Sequence, residues 1–290
     1  MVYYYGYGVA DDDESLRMIS RARALGINFI LTSPTFGIGH AERLIGQAIN
    51  GDRDYWVLGL MGGLAIDGTR LVRDISYESL TANLQASLGR LGTSDADLFL
   101  IESVTEAELR DGSCIDSLKR IGISGATGFI GVDVDLATVD VELLLGLDVD
   151  VVRIRYNMFE PVAGDFFARA KSAGLGIIAK GVLAEGFLAG NFTGPDSFAE
   201  DDERSLIDVD RADELITKSA NLLFLEAPQR SLAQASLLYV LANQAVSVAL
   251  TGAATVDEIE EDAMAGSLPR LDEEALDRIG RLQRSNFQPL

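Results

Sequence analysis

Short apolar runs that read as strands alternate with amphipathic helical runs along the whole chain, and this alternation restricts the fold more than any other feature. Strands are expected at Tyr3–Val9, Asn28–Leu31, Tyr55–Leu60, Asp97–Ile101, Thr127–Val132, Val151–Arg155, Gly176–Ala179 and Val246–Leu250. Helices are expected near Glu14–Leu25, Ala41–Asn50, Tyr77–Leu91, Ser113–Arg120, Thr138–Leu145, Ala163–Ala173, Arg211–Leu225 with Ser231–Ala242, and Val256–Ala265. A strand followed by a helix, repeated eight times in 290 residues, predicts a single (β/α)8 barrel spanning residues 1–290 rather than an open sheet. A further amphipathic run, Asp272–Leu282, is expected outside the barrel. The longest irregular stretch, Gly181–Asp210, follows the seventh strand and is expected to lie over the barrel mouth.

Charge narrows the partners. The formal net charge is −21, so a nucleic-acid backbone or an anionic leaflet is repelled over most of the surface. The acidic runs Asp11-Asp12-Asp13-Glu14 and Glu200-Asp201-Asp202-Glu203 read as solvated faces, and no metal site is expected. The single Cys114 rules out an internal disulfide and suits a reducing compartment. The start, Met1-Val2-Tyr3-Tyr4-Tyr5-Gly6, lacks a basic segment followed by an apolar one, and no apolar run reaches membrane-spanning length. A soluble cytoplasmic protein acting on a small molecule is expected, with a protein partner left open.

One stretch carries more information than the pattern. Gly26-Ile27-Asn28-Phe29-Ile30-Leu31-Thr32-Ser33-Pro34-Thr35-Phe36-Gly37, followed by Ala41-Glu42-Arg43-Leu44-Ile45-Gly46, reads as a buried strand, a turn and a helix. It resembles the G-[IV]-N-F-I-D-T-[AS]-x-x-Y-G-x-[GS]-E-x-x-[IL]-G segment of the aldo-keto reductases. Further blocks in the same order extend the resemblance over nearly the whole chain: Ser87-Leu88-Gly89-Arg90-Leu91 with Asp97-Leu98-Phe99-Leu100-Ile101, then Tyr156-Asn157, the turn Leu183–Gly190, and Ser231–Leu237. The family's N-terminal hairpin is expected to be absent, since Tyr5-Gly6-Tyr7-Gly8 already reads as the first barrel strand.

The resemblance implies carbonyl reduction by hydride from a nicotinamide cofactor, with a tyrosine giving the proton and Lys, His and Asp assisting. A phenol titrates near pH 10 and needs a neighbouring ammonium to serve as an acid at neutral pH. In this chain the Asp position matches Leu31, the Tyr position Phe36, the Lys position Met61 and the His position Glu102. Cofactor positions change as well: Asp133-Val134 stands where the family has Ser-Asn, Arg153 where it has Gln, and the acidic Thr251–Glu261 segment where it clamps the adenosine 2′-phosphate. No nicotinamide cofactor is therefore expected.

The polar groups left at the strand ends are Thr32, Ser33, Glu102, Ser103, Asp133, Arg153, Arg155, Asn157, Lys180 and Thr251. Glu102 is the candidate catalytic residue, and Tyr7, Asp133, Arg153, Asn157 and Lys180 are the candidate substrate contacts. Strand parity is expected to turn one of Arg153 and Arg155 inward, and the match to Gln favours Arg153. His40 reads as a surface or helix-start residue. Three functions stay open: a barrel that binds without catalysing, an enzyme rebuilt for lyase, isomerase or cyclisation chemistry on Glu102, and an NAD(P)H-dependent oxidoreductase using a different proton donor.

Overall fold

The computed structural model describes residues 11–68, 70–162, 164–190 and 202–288. The expected strand Tyr3–Val9, and Tyr7 with it, lies outside the described residues. Strands β1 (Phe29–Thr32), β2 (Val57–Gly62), β5 (Ala96–Ile101), β6 (Thr127–Val134), β7 (Val151–Arg155), β8 (Gly176–Lys180) and β9 (Val248–Ala249) form one parallel sheet in that order. A two-stranded antiparallel hairpin, β3 (Leu64–Asp67) and β4 (Arg70–Arg73), stands apart from it. The helices are α1 (Asp12–Ala24), α2 (His40–Ile49), α3 (Tyr77–Leu91), α4 (Glu106–Asp111), α5 (Ser113–Ile123), α6 (Val141–Leu145), α7 (Phe166–Ser172), α8 (Val209–Ala220), α9 (Leu232–Ala242), α10 (Val256–Met264) and α11 (Glu273–Arg284). This is a (β/α)8 fold, with seven of its parallel strands among the described residues. Among the same residues no helix is long and apolar enough to cross a membrane.

The alternation of side chains along each strand builds two apolar layers. One parity faces the helices: Leu58, Leu60, Phe99, Ile101, Val132, Val152, Ile154 and Ile177 join Leu80, Leu84, Leu118 and Phe166. The other parity meets inside, where Phe29 and Leu31 of β1 cluster with Met61, Leu98, Leu100, Val151, Ile178 and Val248. Side chains from β1 and β9, the two ends of the ladder, share that cluster, so the sheet curls around it. With both faces covered, the strands read as near-continuous apolar runs, as parallel strands do.

The interior is crowded enough to need glycine. A Cβ at Gly131 would collide with Leu100 Cδ2 and with the Val151 carbonyl of the neighbouring strand. The carbonyl is backbone and cannot turn aside, so Gly131→Ala is expected to lower stability by about 3 kcal/mol. Gly89, exposed on α3 with nothing near its would-be Cβ, provides the contrast. Gly89→Ala is expected to raise stability by about 0.5–1 kcal/mol. Denaturant titration of both variants checks the pair, and equal effects would contradict the packing described.

Several expected elements change shape. The helix expected at Arg211–Leu225 stops at Ala220, and Leu223–Leu225 forms a separate 3-10 turn. The helix expected at Thr138–Leu145 begins only after Asp140, whose carboxylate caps it by accepting from Glu142 N. The last strand shortens to Val248–Ala249, though Ser247 N and Leu250 N still donate to Ile177 and Ala179 at 2.9 and 2.8 Å. Asp202, expected on a solvated acidic face, is buried and paired with Arg204 at 2.5 Å. His40 starts α2 and pairs with Asp12 on the surface at 2.7 Å.

Candidate active site

The strand ends that follow the parallel direction converge on one mouth. On its β1 side the chain leaves the sheet through a tight turn: Phe36 N donates to Ser33 O at 3.0 Å, and the Ser33 and Thr35 hydroxyls share a hydrogen bond of 2.8 Å. Gly37, Ile38 and Gly39 all adopt left-handed backbone before α2 begins. This turn sets Phe36 beside Leu31 and Met61 at the top of the interior cluster. Three of the four side chains that the resemblance matches to the tetrad therefore form an apolar wall.

The fourth, Glu102, closes β5. Ser33 Oγ donates to Glu102 Oε2 at 3.2 Å, and the carboxyl forms no ion pair among the described residues. Burial pushes its pKa above the ordinary glutamate value, and the Asp133 charge pushes the same way. Arg153, the Ser33 hydroxyl and Lys180 oppose that rise without cancelling it.

The far side of the mouth is charged. Asp133 on β6 is 1% exposed and sits between two cations, with Lys180 Nζ 2.6 Å from Oδ1 and Arg153 Nη1 3.3 Å from Oδ2. Ser103 N also donates to Asp133 Oδ2 at 3.2 Å, which holds Ser103 at a φ of 53°. Arg153 Nη1 spends a second contact on the Met61 sulfur at 3.2 Å, while Arg153 Nε is buried with no partner. The Thr32 hydroxyl on the β1 side is likewise buried without a partner.

Residues at i and i+2 of a strand share a face, so parity does not choose between Arg153 and Arg155. They differ in height. Arg153 reaches across to Asp133, whereas Arg155, one layer higher, binds Glu185 at 2.5 Å and Glu160 at 3.7 Å on the rim. The Arg155–Glu185 pair ties the turn Ala184–Ala189 to the mouth, and Ala184 and Glu185 pass through left-handed backbone there.

Asn157 is brought to the same end but is fully buried and fully used. Its Nδ2 donates to Glu160 Oε2 and Gly181 O, both at 2.8 Å, and its Oδ1 accepts from Phe159 N and Glu160 N at 2.8 and 2.9 Å. An amide has two donors and two acceptor sites, so none is left for a substrate. Asn157 staples the loop after β7.

Arg73 also supports the site, through contacts that no local sequence pattern marks. It donates to Glu102 O at 2.8 Å and holds both Glu108 oxygens at 2.8 Å, which pushes the Glu108 carboxyl down to about 2. Glu108 in turn closes the capping box that starts α4. The hairpin thus pins the backbone on which Glu102 and Ser103 sit.

The profile described as the aldo/keto reductase family matches residues 3–284. The chain belongs to that family. It is 23% identical over 268 residues to the Bacillus subtilis (strain 168) protein named uncharacterized oxidoreductase YqkF, covering 92% of this chain and 86% of that one. It is 25% identical over 270 residues to L-galactose dehydrogenase of Arabidopsis thaliana, covering 89% and 80%. An aldo-keto reductase of Klebsiella pneumoniae solved in complex with NADPH shares the fold at a TM-score of 0.73 and 20% identity, covering 98% of this chain and 89% of that one.

These relatives correct two expectations. That no nicotinamide cofactor is used is overturned by a family member solved with NADPH and by the oxidoreductase and dehydrogenase names of the others. The non-redox readings lose their support for the same reason. Different residues at the matched tetrad positions change the proton donor and leave hydride transfer, which the cofactor carries out, in place. The residues at the mouth fit the nicotinamide end of such a cofactor, since Thr32 Oγ1 is a buried polar atom lacking a partner among the described residues beside an apolar wall. The end of β9 is different. Val256 N donates to Glu14 Oε1 at 2.8 Å and Ala254 N to Glu258 Oε2 at 2.6 Å, so the chain's own carboxylates take the amides that open α10.

Proposed function

We propose that this aldo/keto reductase family member is an NADH-linked oxidoreductase that interconverts a small carbonyl compound and its alcohol, with Glu102 as the proton donor. The observation that carries the reading is the setting of Glu102: a half-buried carboxyl at the barrel mouth, held by a serine hydroxyl, without an ion pair among the described residues and with its pKa raised by burial. A carboxyl in that state gives a proton to a carbonyl oxygen, the task that the resemblance assigns to the tyrosine matched by Phe36. The nicotinamide ring, when bound, supplies the hydride. Leu31, Phe36 and Met61 keep water away from the reacting carbon, and Ser33 holds the carboxyl in place. For the reverse reaction the deprotonated form of Glu102 takes the proton from the alcohol.

Preference for NADH follows from the end of β9, where the resemblance places the adenosine 2′-phosphate. Glu14 and Glu258 fill the helix-start amides, and Asp262, beside Glu261 and Glu258, has its pKa pushed up to about 6 by burial above all. A phosphate dianion would meet the carboxylates of Glu258 and Glu261 there, with the nearest helix-start amides already taken. NADH is expected to bind at least about tenfold more tightly than NADPH, a difference of about 1.4 kcal/mol. Calorimetric titration of the full chain with each dinucleotide tests both halves of the proposal. Failure of both to bind would sink the redox reading, and equal binding would sink the NADH preference.

A further inference from the structure

The inner layer of the mouth, Asp133 with Arg153 and Lys180, does not balance by itself. Asp133 is a single carboxylate serving both Arg153 and Lys180, and Glu102 pairs with neither. One positive charge is left over in that layer, beneath the Arg155, Glu160 and Glu185 rim, in a chain whose net charge is −21. A local excess of the minority sign, focused at a barrel mouth, attracts a ligand of the opposite sign.

The same corner is short of acceptors. A guanidinium carries five N–H donors in a planar fork that matches a carboxylate. Arg153 commits Nη1 alone to both Asp133 at 3.3 Å and a thioether, a weak acceptor, at 3.2 Å, and its buried Nε has no hydrogen-bond partner among the described residues. Lys180 has one carboxylate oxygen, at 2.6 Å, for three donors. Neither side chain is sealed off: Arg153 is 14% and Lys180 21% exposed. Both lie on the β7 and β8 ends that face the interior, as Ile178 on the same parity of β8 shows.

We propose that Arg153 and Lys180 form a carboxylate anchor, and that the carbonyl substrate is an oxo acid carrying its own carboxylate. This rests on the carbonyl-reduction reading for its substrate and on Arg153, Lys180 and Asp133 alone for its anion. The anchor orients the substrate so that its charged end lies on the β7–β8 side and its carbonyl end lies toward Glu102. A second consequence is electrostatic. An anion brought into the mouth disfavours ionisation of Glu102 further, so substrate binding draws a proton onto the residue that will donate it.

The test uses the full chain, propionate as the probe and propionamide as its neutral isostere. Calorimetry is expected to show saturable propionate binding, with propionamide at least about tenfold weaker. Arg153→Met and Lys180→Met are each expected to weaken propionate about tenfold or more. Repeating the wild-type titration in buffers of different ionisation enthalpy is expected to reveal proton uptake that Glu102→Gln abolishes while propionate still binds. Should Arg153→Met fail to fold, Arg153→Lys replaces it, keeping the charge and losing the fork. Equal binding of the two probes, or undiminished propionate binding in both anchor variants, would overturn the proposal. NADH binding without discrimination between the probes refutes the anchor and leaves the redox reading intact. Propionate binding with no dinucleotide binding does the reverse. In turnover, succinic semialdehyde is expected to exceed butanal about a hundredfold in kcat/KM, and parity between them would count against the anchor.

Discussion

Glu102→Gln is expected to lower kcat for carbonyl reduction by about a hundredfold or more, the usual range for removing a positioned general acid, while leaving the fold intact. Glutamine nearly preserves volume and keeps an oxygen to accept the Ser33 hydroxyl, which donates to Glu102 at 3.2 Å. What it removes is titration. Because burial raises the Glu102 pKa in the folded chain, the native state holds this proton more tightly than the unfolded one. The stability contributed by that proton is present below the ordinary glutamate value and is lost as pH rises through the window up to the raised native value. Above that window the wild-type carries a disfavoured charge that the glutamine variant lacks. Melting temperature at neutral pH is therefore expected to be unchanged or higher in Glu102→Gln, even as turnover collapses. Reduction by the wild-type enzyme should decline as pH rises through the native value, and alcohol oxidation should grow. A variant that loses stability along with activity would show that Glu102 serves the packing of the mouth instead.

Much of this architecture was legible in the sequence, and the parts that were not have physical reasons. Parallel strands buried on both faces leave long apolar runs, so Val151–Arg155 and the core of the other strands among the described residues could be placed to within a residue or two. The hairpin was overlooked although Asp67-Gly68 between alternating side chains is a recognised turn signal, because its strands are short and expose Leu71 and Val72. With the hairpin went Arg73, whose importance depends on a contact to Glu102 O, 29 positions away, that no local pattern encodes. Glu102, Asp133, Arg153 and Lys180 could be grouped because each lies at or near the C-terminal end of a strand of the same barrel. Their individual partners could not. Nothing in the residues around Asn157 announces that its amide is consumed by the turn, or that Asp133 rather than Glu102 takes both cations. The cofactor is poorly legible for a different reason: matched side chains report single positions, whereas backbone amides and the shape of the mouth also hold a dinucleotide.

A large effect on stability is also expected at Asp133. Lys180, Arg153 and the Ser103 amide all converge on this one carboxylate, which is 1% exposed. Removing one partner of a buried ion pair leaves the other charges without compensation, at a cost of about 3–5 kcal/mol. Asp133→Asn keeps the shape and an acceptor for Ser103 N, so its loss isolates the charge, and about 3 kcal/mol is expected. Glu102 does not rescue the cations cheaply, since ionising it in this setting is itself disfavoured. Lys180→Met in the Asp133→Asn background should restore part of the lost stability by removing one of the two stranded charges, giving a coupling energy of about 1–3 kcal/mol in a double-mutant cycle. Chemical denaturation of the four proteins measures it. If the two changes simply add, the triad is loose enough for water to solvate each cation separately, and Asp133 would not be holding Arg153 and Lys180 in place beside Glu102.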